Sequence, residues 1–149
     1  MPQKLITFAV PCYNSADYMD KCVRSLLAGG SDIEIILVDD GSTKDDTPAI
    51  CDRYAAEHPD IVKVIHQENG GHGEGVNQGL RHASGVYYKV VDSDDWLDEE
   101  ALHAVLNKLR EFVGKGHPLD LMIANYVYEH VEDNTQKVMG YSNVFPTNK

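Results

Sequence analysis

Short apolar, β-branched runs alternate with amphipathic helical stretches along nearly the whole chain, and this alternation restricts the fold more than any other feature. Residues 5–10 read as a first strand closed by Pro11. Asn14 or Ser15 stands where a helix cap is needed, before a helix with the apolar face Met19, Cys22, Val23, Leu26 and Leu27. That helix stops at Gly29-Gly30. Residues 33–38 form an apolar run broken only by Glu34, as a strand covered on both faces requires. Thr43 with Asp46 has the spacing of a capping box, opening a helix that carries Ile50, Cys51, Tyr54 and Ala55. Residues 61–65 are a third strand. A glycine-rich loop over 68–75 leads into a helix from about 74 to 83, with Val76, Leu80 and Ala83 expected inward. Residues 86–91 read as a fourth strand. The clearest helical stripe follows: Ala101, Leu102, Val105, Leu106, Leu109, Phe112 and Val113. Residues 119–128 read as a strand, antiparallel at an edge, 138–141 as a short strand, and the last eight residues as loop. The expectation is an α/β fold with a mainly parallel sheet flanked by helices.

With 149 residues the chain is sized for one domain with its own core. A net charge of −11 argues against nucleic-acid partners. The acid is concentrated: Asp92, Asp94, Asp95, Asp98, Glu99 and Glu100 are six carboxylates within nine residues. A helix start accounts for Asp98, Glu99 and Glu100, because carboxylates suit the positive end of the helix dipole. It accounts poorly for Asp92 to Asp95, which directly follow a strand-like run. Cys12, Cys22 and Cys51 lack zinc-site spacing and read as reduced thiols of a cytoplasmic protein. The N-terminus is too short and strand-like for a signal peptide, and no apolar run approaches the ~18 residues of a membrane span.

Three polar clusters follow apolar strands: Pro11-Cys12-Tyr13-Asn14, Asp39-Asp40-Gly41-Ser42 and Asp92-Ser93-Asp94-Asp95. Parallel strands bring all three to one sheet edge, where open α/β sheets bind ligands. Asp92 and Asp94, one residue apart on a tight turn, can converge on one hard divalent cation such as Mg2+ or Mn2+. Such an ion would let an acidic protein hold a diphosphate and would stabilise a departing nucleoside diphosphate. Taken alone, the same three residues are more often a turn and a helix cap.

The order PCYN, LVDDGS, ENGGHGEGVNQGL and VVDSDDWLD, over residues 4–100, resembles the family 2 glycosyltransferases. The resemblance implies a GT-A fold, a nucleotide-activated sugar donor and a Mn2+ or Mg2+ cofactor. It further implies that Pro11, Tyr13 and Asn14 line the nucleotide pocket, with Tyr13 against the base. Asp40 would accept a hydrogen bond from the base and Asp39 would support that loop. Asp92 and Ser93 belong to the donor site, Asp92 near ribose or metal, and Asp94 is the principal metal ligand. Asp95 and Trp96 would shape the turn and the sugar pocket. In the glycine-rich loop, Asn69, Gly71 and Asn77 match donor-site positions, since glycines let backbone approach a diphosphate closely. His72 and Glu74 depart from the commoner family pattern, and His72 is open to contact with phosphate or donor sugar, or to a plain surface role. Lys89 reads as structural.

Two rival classes fit worse. Gly73, Gly75 and Gly79 imitate a dinucleotide fingerprint, but they follow the third strand rather than the first. A phosphoryl-accepting receiver domain would carry its acidic pair after strand one, not after strands two and four. The resemblance implies inverting transfer to a glycan or lipid-linked sugar acceptor in polysaccharide or cell-envelope synthesis, with a UDP-sugar as expected donor. The expected setting is the cytoplasm, at the inner membrane face if the whole protein is membrane-associated. Asp120, Glu129, Glu132 and Asp133 lie in no recognisable context for a general base. The chain therefore reads as a single GT-A domain over residues 1–149, truncated on the acceptor side, with its base beyond residue 149. The alternative is a non-catalytic nucleotide-sugar-binding domain.

Overall fold

The computed structural model describes residues 3–116, 126–130 and 135–139. Two compact units divide the chain, Met1–Glu111 and Phe112–Lys149. The elements are β1 (Ile6–Cys12), α1 (Met19–Leu27), β2 (Ile33–Asp40), α2 (Thr47–Glu57), β3 (Val62–Gln67), α3 (His72–His82), β4 (Tyr87–Val90) and α4 (Glu99–Gly114). In the second unit β5 (Tyr126–His130) and β6 (Thr135–Met139) pair as an antiparallel two-stranded sheet of their own. Residues 119–125 and 140–141 of the two expected C-terminal strands, and the expected terminal loop, lie outside the described residues.

In the first unit four parallel strands run in the order β3-β2-β1-β4. Every residue of β1 and β2 is buried, because these two strands are central and covered on both faces. Their register aligns the strand ends: Cys12 sits opposite Asp39, Asp39 opposite His66, and Ala9 opposite Val90. The polar clusters after β1, β2 and β4 therefore share one edge of the sheet. Leu102, Leu106 and Leu109 are the buried stripe of α4, and the start of that helix is capped by Asp98, whose Oδ2 accepts the Ala101 N–H at 3.0 Å.

Glu34, mid-strand in β2, is the one break in the apolar run, and it is 2% exposed. Its carboxylate accepts from Thr7 Oγ1 at 2.8 Å, Lys63 Nζ at 2.6 Å, and both the N–H and hydroxyl of Ser84. Burial opposes its ionisation, but the Lys63, Ser84 and Thr7 hydrogen bonds prevail and hold the carboxyl at about 2. The pair survives burial because nearly every acceptor position is filled.

Four local expectations are corrected. Pro11 does not close the first strand: β1 runs on through Pro11 to Cys12. Neither Asn14 nor Ser15 caps α1, which begins at Met19 without a side-chain cap. Thr43 and Asp46 form no capping box; α2 starts at Thr47, and the turn before it is held by Asp45, whose Oδ1 accepts both the Thr47 N–H and hydroxyl. On α3 the buried face is Gly75 and Gly79, while Leu80 is 56% exposed. A Cβ at Gly79 would stand 2.6 Å from the Ala9 Cβ, and one at Gly75 would stand 3.2 Å from the Pro11 Cβ. Helix α3 thus lies against β1, closely enough at Gly79 that a side chain there would force its neighbours to shift, and Leu80 turns outward.

Candidate functional site

The loop after β2 is built from hydrogen bonds. Asp40 is 4% exposed, and its Oδ1 accepts the Gln67 amide at 2.9 Å and the Gly70 N–H at 2.8 Å. Its Oδ2 accepts the Gly71 N–H at 3.0 Å, and its main-chain oxygen accepts from the Asn69 side chain. One buried carboxylate therefore fixes the glycine-rich loop. Gly41, at φ +72°, packs against Asn69, where a Cβ would lie 2.7 Å from the Asn69 nitrogen. Asp39 faces the other way. Its Oδ1 accepts the Ser42 N–H, while its Oδ2 pairs with His66 Nδ1 at 2.8 Å, and His66 Nε2 pairs with Asp52 at 2.7 Å. These hydrogen bonds to Asp39 and Asp52 raise the His66 pKa.

The segment after β1 is tied to the same loop. Asn14, at φ +49°, donates its N–H to Ser42 Oγ, and its side-chain oxygen accepts the Lys44 N–H. The Ser15 hydroxyl lies 2.9 Å from that of Ser93, joining the first strand end to the acidic turn. The side chains of Asn14 and Ser15 are thus turned to other segments of this edge, while the Ser15 main-chain oxygen accepts the Met19 N–H at the start of α1.

The turn after β4 is of another kind. One carboxylate oxygen from each of Asp92, Asp94 and Asp95 lies within 4.8 Å of the others, and all three residues are exposed. At that spacing the mutual repulsion is on the order of 1 kcal/mol per pair, even in water. Burial, then the charges of Asp94 and Asp92, raise the Asp95 carboxyl, against the ammonium of Lys89 on β4. Burial and the same three acids push the Cys22 thiol up to about 12, so Cys22 stays protonated. Three hard oxygen donors converging from a tight turn fit Mg2+ or Mn2+, either of which leaves positions for phosphate. Across from the turn, His72 Nε2 lies 2.8 Å from Asp92 Oδ1.

These segments enclose a cleft of about 440 Å3. Of the expected residues, Pro11, Tyr13, Asp40, Asn69, Gly71, Asp92, Ser93 and Asp94 line it. Tyr13 is 49% exposed, its ring free to meet a ligand. Asn14 and Asp39 stand behind the lining as braces, and Asn77 is exposed on α3 away from it. Asp95 and Trp96 also lie off the lining, and Lys21 Nζ sits 3.6 Å from the centroid of the Trp96 ring. Glu74 pairs with Gln78 and Arg81 along α3. The cleft is further lined by Cys12, Ser15, Tyr18 and His72. Cys12 stands inside the first polar cluster, Ser15 was read only as a helix cap, and Tyr18 gave no sequence signal. His72 carried one, as an unusual residue in a glycine loop.

Residues 7–134 match the family model described as Glycosyl transferase family 2. Glycosyltransferase GlyG of Streptococcus pneumoniae is 38% identical over 134 residues, covering 88% of this chain and 42% of that protein. Among solved structures, S. aureus TarS 1-349 in complex with UDP superposes with a TM-score of 0.62 at 31% identity, covering 73% of this chain and 33% of that one. The mannosyltransferase PcManGT from Pyrobaculum calidifontis, in complex with GDP-Man and Mn2+, gives a TM-score of 0.59 at 26% identity, covering 71% and 35%. The parallel sheet with its flanking helices is accordingly of the GT-A type. The chain spans less than half the length of these proteins.

Proposed function

Because the chain belongs to glycosyl transferase family 2, we propose that it is the donor-binding part of a metal-dependent, inverting glycosyltransferase. A nucleoside diphosphate sugar occupies the cleft, with its base between Tyr13 and the Asp40 loop. Asp94 and Asp92 would hold a Mn2+ or Mg2+ ion at the diphosphate end of the cleft. The observation that carries this reading is the convergence on one cleft of Asp40 from β2 and of Asp92 and Asp94 after β4. A carboxylate offers about four acceptor positions. Three on Asp40 are used by Gln67, Gly70 and Gly71, leaving one for a base N–H. Asn69 and Gly71 face the diphosphate, and Asn14 and Asp39 hold the loops. Asn77 acts through α3, the helix that follows the glycine-rich loop.

UDP is the expected nucleotide, a reading supported by the UDP complex of TarS; the GDP-Man and Mn2+ complex of PcManGT supports the metal. The ion supplies charge neutralisation for the leaving diphosphate. An acceptor hydroxyl of a glycan or lipid-linked sugar attacks the anomeric carbon as its bond to the diphosphate breaks, and a general-base carboxylate takes the proton. The proposed setting is the cytoplasm, at the inner membrane face if the whole protein is membrane-associated. No helix of the described residues is long and apolar enough to cross one.

Titration calorimetry with UDP, GDP, CDP and dTDP, each with and without Mn2+, tests the reading. One nucleotide should bind in a Mn2+-dependent manner to the native chain and at least 100-fold more weakly to Asp94→Ala. Binding unaffected by Asp94→Ala would remove the metal from the account. Release of the nucleoside diphosphate from the matching donor sugar by the whole protein then separates a transferase from a binding module.

A further inference from the structure

His72 lines the cleft and makes a direct contact with the acidic turn. Its side chain and that of Asp92 are 62% and 53% exposed, so their hydrogen bond contributes little to holding the fold. Its geometry is nevertheless well supported from behind. His72 is the first residue of α3, and the two residues before it, Gly70 and Gly71, have their N–H groups held by the buried Asp40 carboxylate. Gly71 turns the chain at φ +91°, a conformation that favours glycine. A continuous path therefore crosses the cleft, from Asp40 through Gly70 and Gly71 to His72, and from His72 Nε2 to Asp92 Oδ1. An ionised carboxylate oxygen only accepts, so the imidazole Nε2–H is the donor.

We propose that His72 is a positioning residue that holds the Asp92 carboxylate within reach of Asp94 and Asp95, ready for the divalent cation. This rests on the donor-site reading above and adds to it a mechanical link between the nucleotide loop and the metal turn. An imidazole N–H suits the task better than the fixed charge of an arginine or lysine. A full positive charge beside Asp92 would compete with the cation, whereas an imidazole N–H orients the carboxylate and leaves its charge for the metal. Hydrogen-bond partners of metal-ligating groups typically alter metal affinity by 10–100-fold when removed. Since the same loop answers to Asp40 at one end and Asp92 at the other, cation and nucleotide affinities are coupled reciprocally.

Loss of the free Mn2+ signal in electron paramagnetic resonance, titrated with and without saturating UDP, reads this directly. The comparison is between the native chain, His72→Ala and His72→Gln, with folding checked by circular dichroism. Glutamine places an amide N–H near the position of Nε2. His72→Ala should weaken Mn2+ binding 10–100-fold, and His72→Gln should restore most of it. Native-like Mn2+ affinity in His72→Ala would overturn the positioning role while leaving the donor site intact. Equal weakness of the alanine and glutamine variants would also overturn it, since a donated N–H would then not be what matters. A folded native chain that takes up neither Mn2+ nor any nucleoside diphosphate would instead bring down the donor-site reading itself, and this inference with it. Should His72→Ala fail to fold, His72→Ser, too short to reach Asp92, takes its place.

Discussion

Asp40, at the end of β2, is 4% exposed and accepts hydrogen bonds from Gln67, Gly70 and Gly71. Asp92, Asp94 and Asp95, after β4, stand exposed with their oxygens within 4.8 Å of one another. The first carboxylate is compensated by the protein and needs no ligand to be stable. The second group repels itself, a repulsion that a bound cation would relieve. On the proposed reading, the nucleoside end of the cleft is finished on folding, while the phosphate end awaits an ion. Selectivity for a base is expected from the rigid end, and dependence on metal from the other.

Neutralising one carboxylate at each end tests the contrast, and the largest effect on stability is expected at the buried end. Asp40→Asn replaces an acceptor of backbone N–H groups by an amide that brings its own donors. It should lower the unfolding free energy by about 2–4 kcal/mol in urea denaturation. Asp94→Asn relieves repulsion and should leave stability unchanged or slightly higher. Equal losses in the two variants would erase the distinction. A smaller effect is expected where α3 carries the glycine loop against β1. Gly79→Ala should cost up to about 3 kcal/mol, because the new Cβ meets Ala9 at 2.6 Å. Gly73→Ala, with nothing within 4 Å, should be neutral or mildly stabilising.

Two pH dependences extend the comparison to charges compensated inside the fold. The folded Glu34 carboxyl titrates at about 2, below its ordinary value near 4.5. Its contribution is complete above the ordinary value and is lost as pH falls toward 2. Stability should drop by about 2 kcal/mol over that range, with a shallower acid limb in Glu34→Gln. The His66 shift has the opposite sign, because Asp39 and Asp52 raise it. Its contribution is complete below the ordinary value near 6.5 and is lost as pH rises through the folded one. The ring is 44% exposed, so the loss should stay under about 1 kcal/mol. A His66→Asn variant should show a flatter stability profile from pH 6 to 8, and an unchanged profile would remove His66 from the bracing of Asp39.

The strands and the shared edge were legible because burial writes itself into sequence as runs of Ile, Val and Leu, and strand ends as the polar residues that break them. Residues 33–38 and the clusters at Pro11, Asp39 and Asp92 were read this way. What was not legible depends on partners far along the chain. Asn14 and Ser15 look like helix caps locally, yet their partners are Ser42, Lys44 and Ser93. Gly75 and Gly79 look like loop or fingerprint glycines, yet they mark the close approach of α3 to β1. Leu80 was expected inward by helical period, but the absence of side chains at Gly75 and Gly79 is what defines the inner face. Asp40 as the anchor of a loop 30 residues away, and His72 as the partner of Asp92, leave no periodic trace at all.

A crystal of this chain grown with UDP and Mn2+, with anomalous diffraction recorded at the manganese edge, tests the central claim most directly. The account predicts one anomalous peak bound by Asp94 and Asp92, with diphosphate oxygens on the same ion and the base against Tyr13 and the Asp40 loop. A manganese peak away from the acidic turn, or a nucleotide seated outside the cleft, would contradict it.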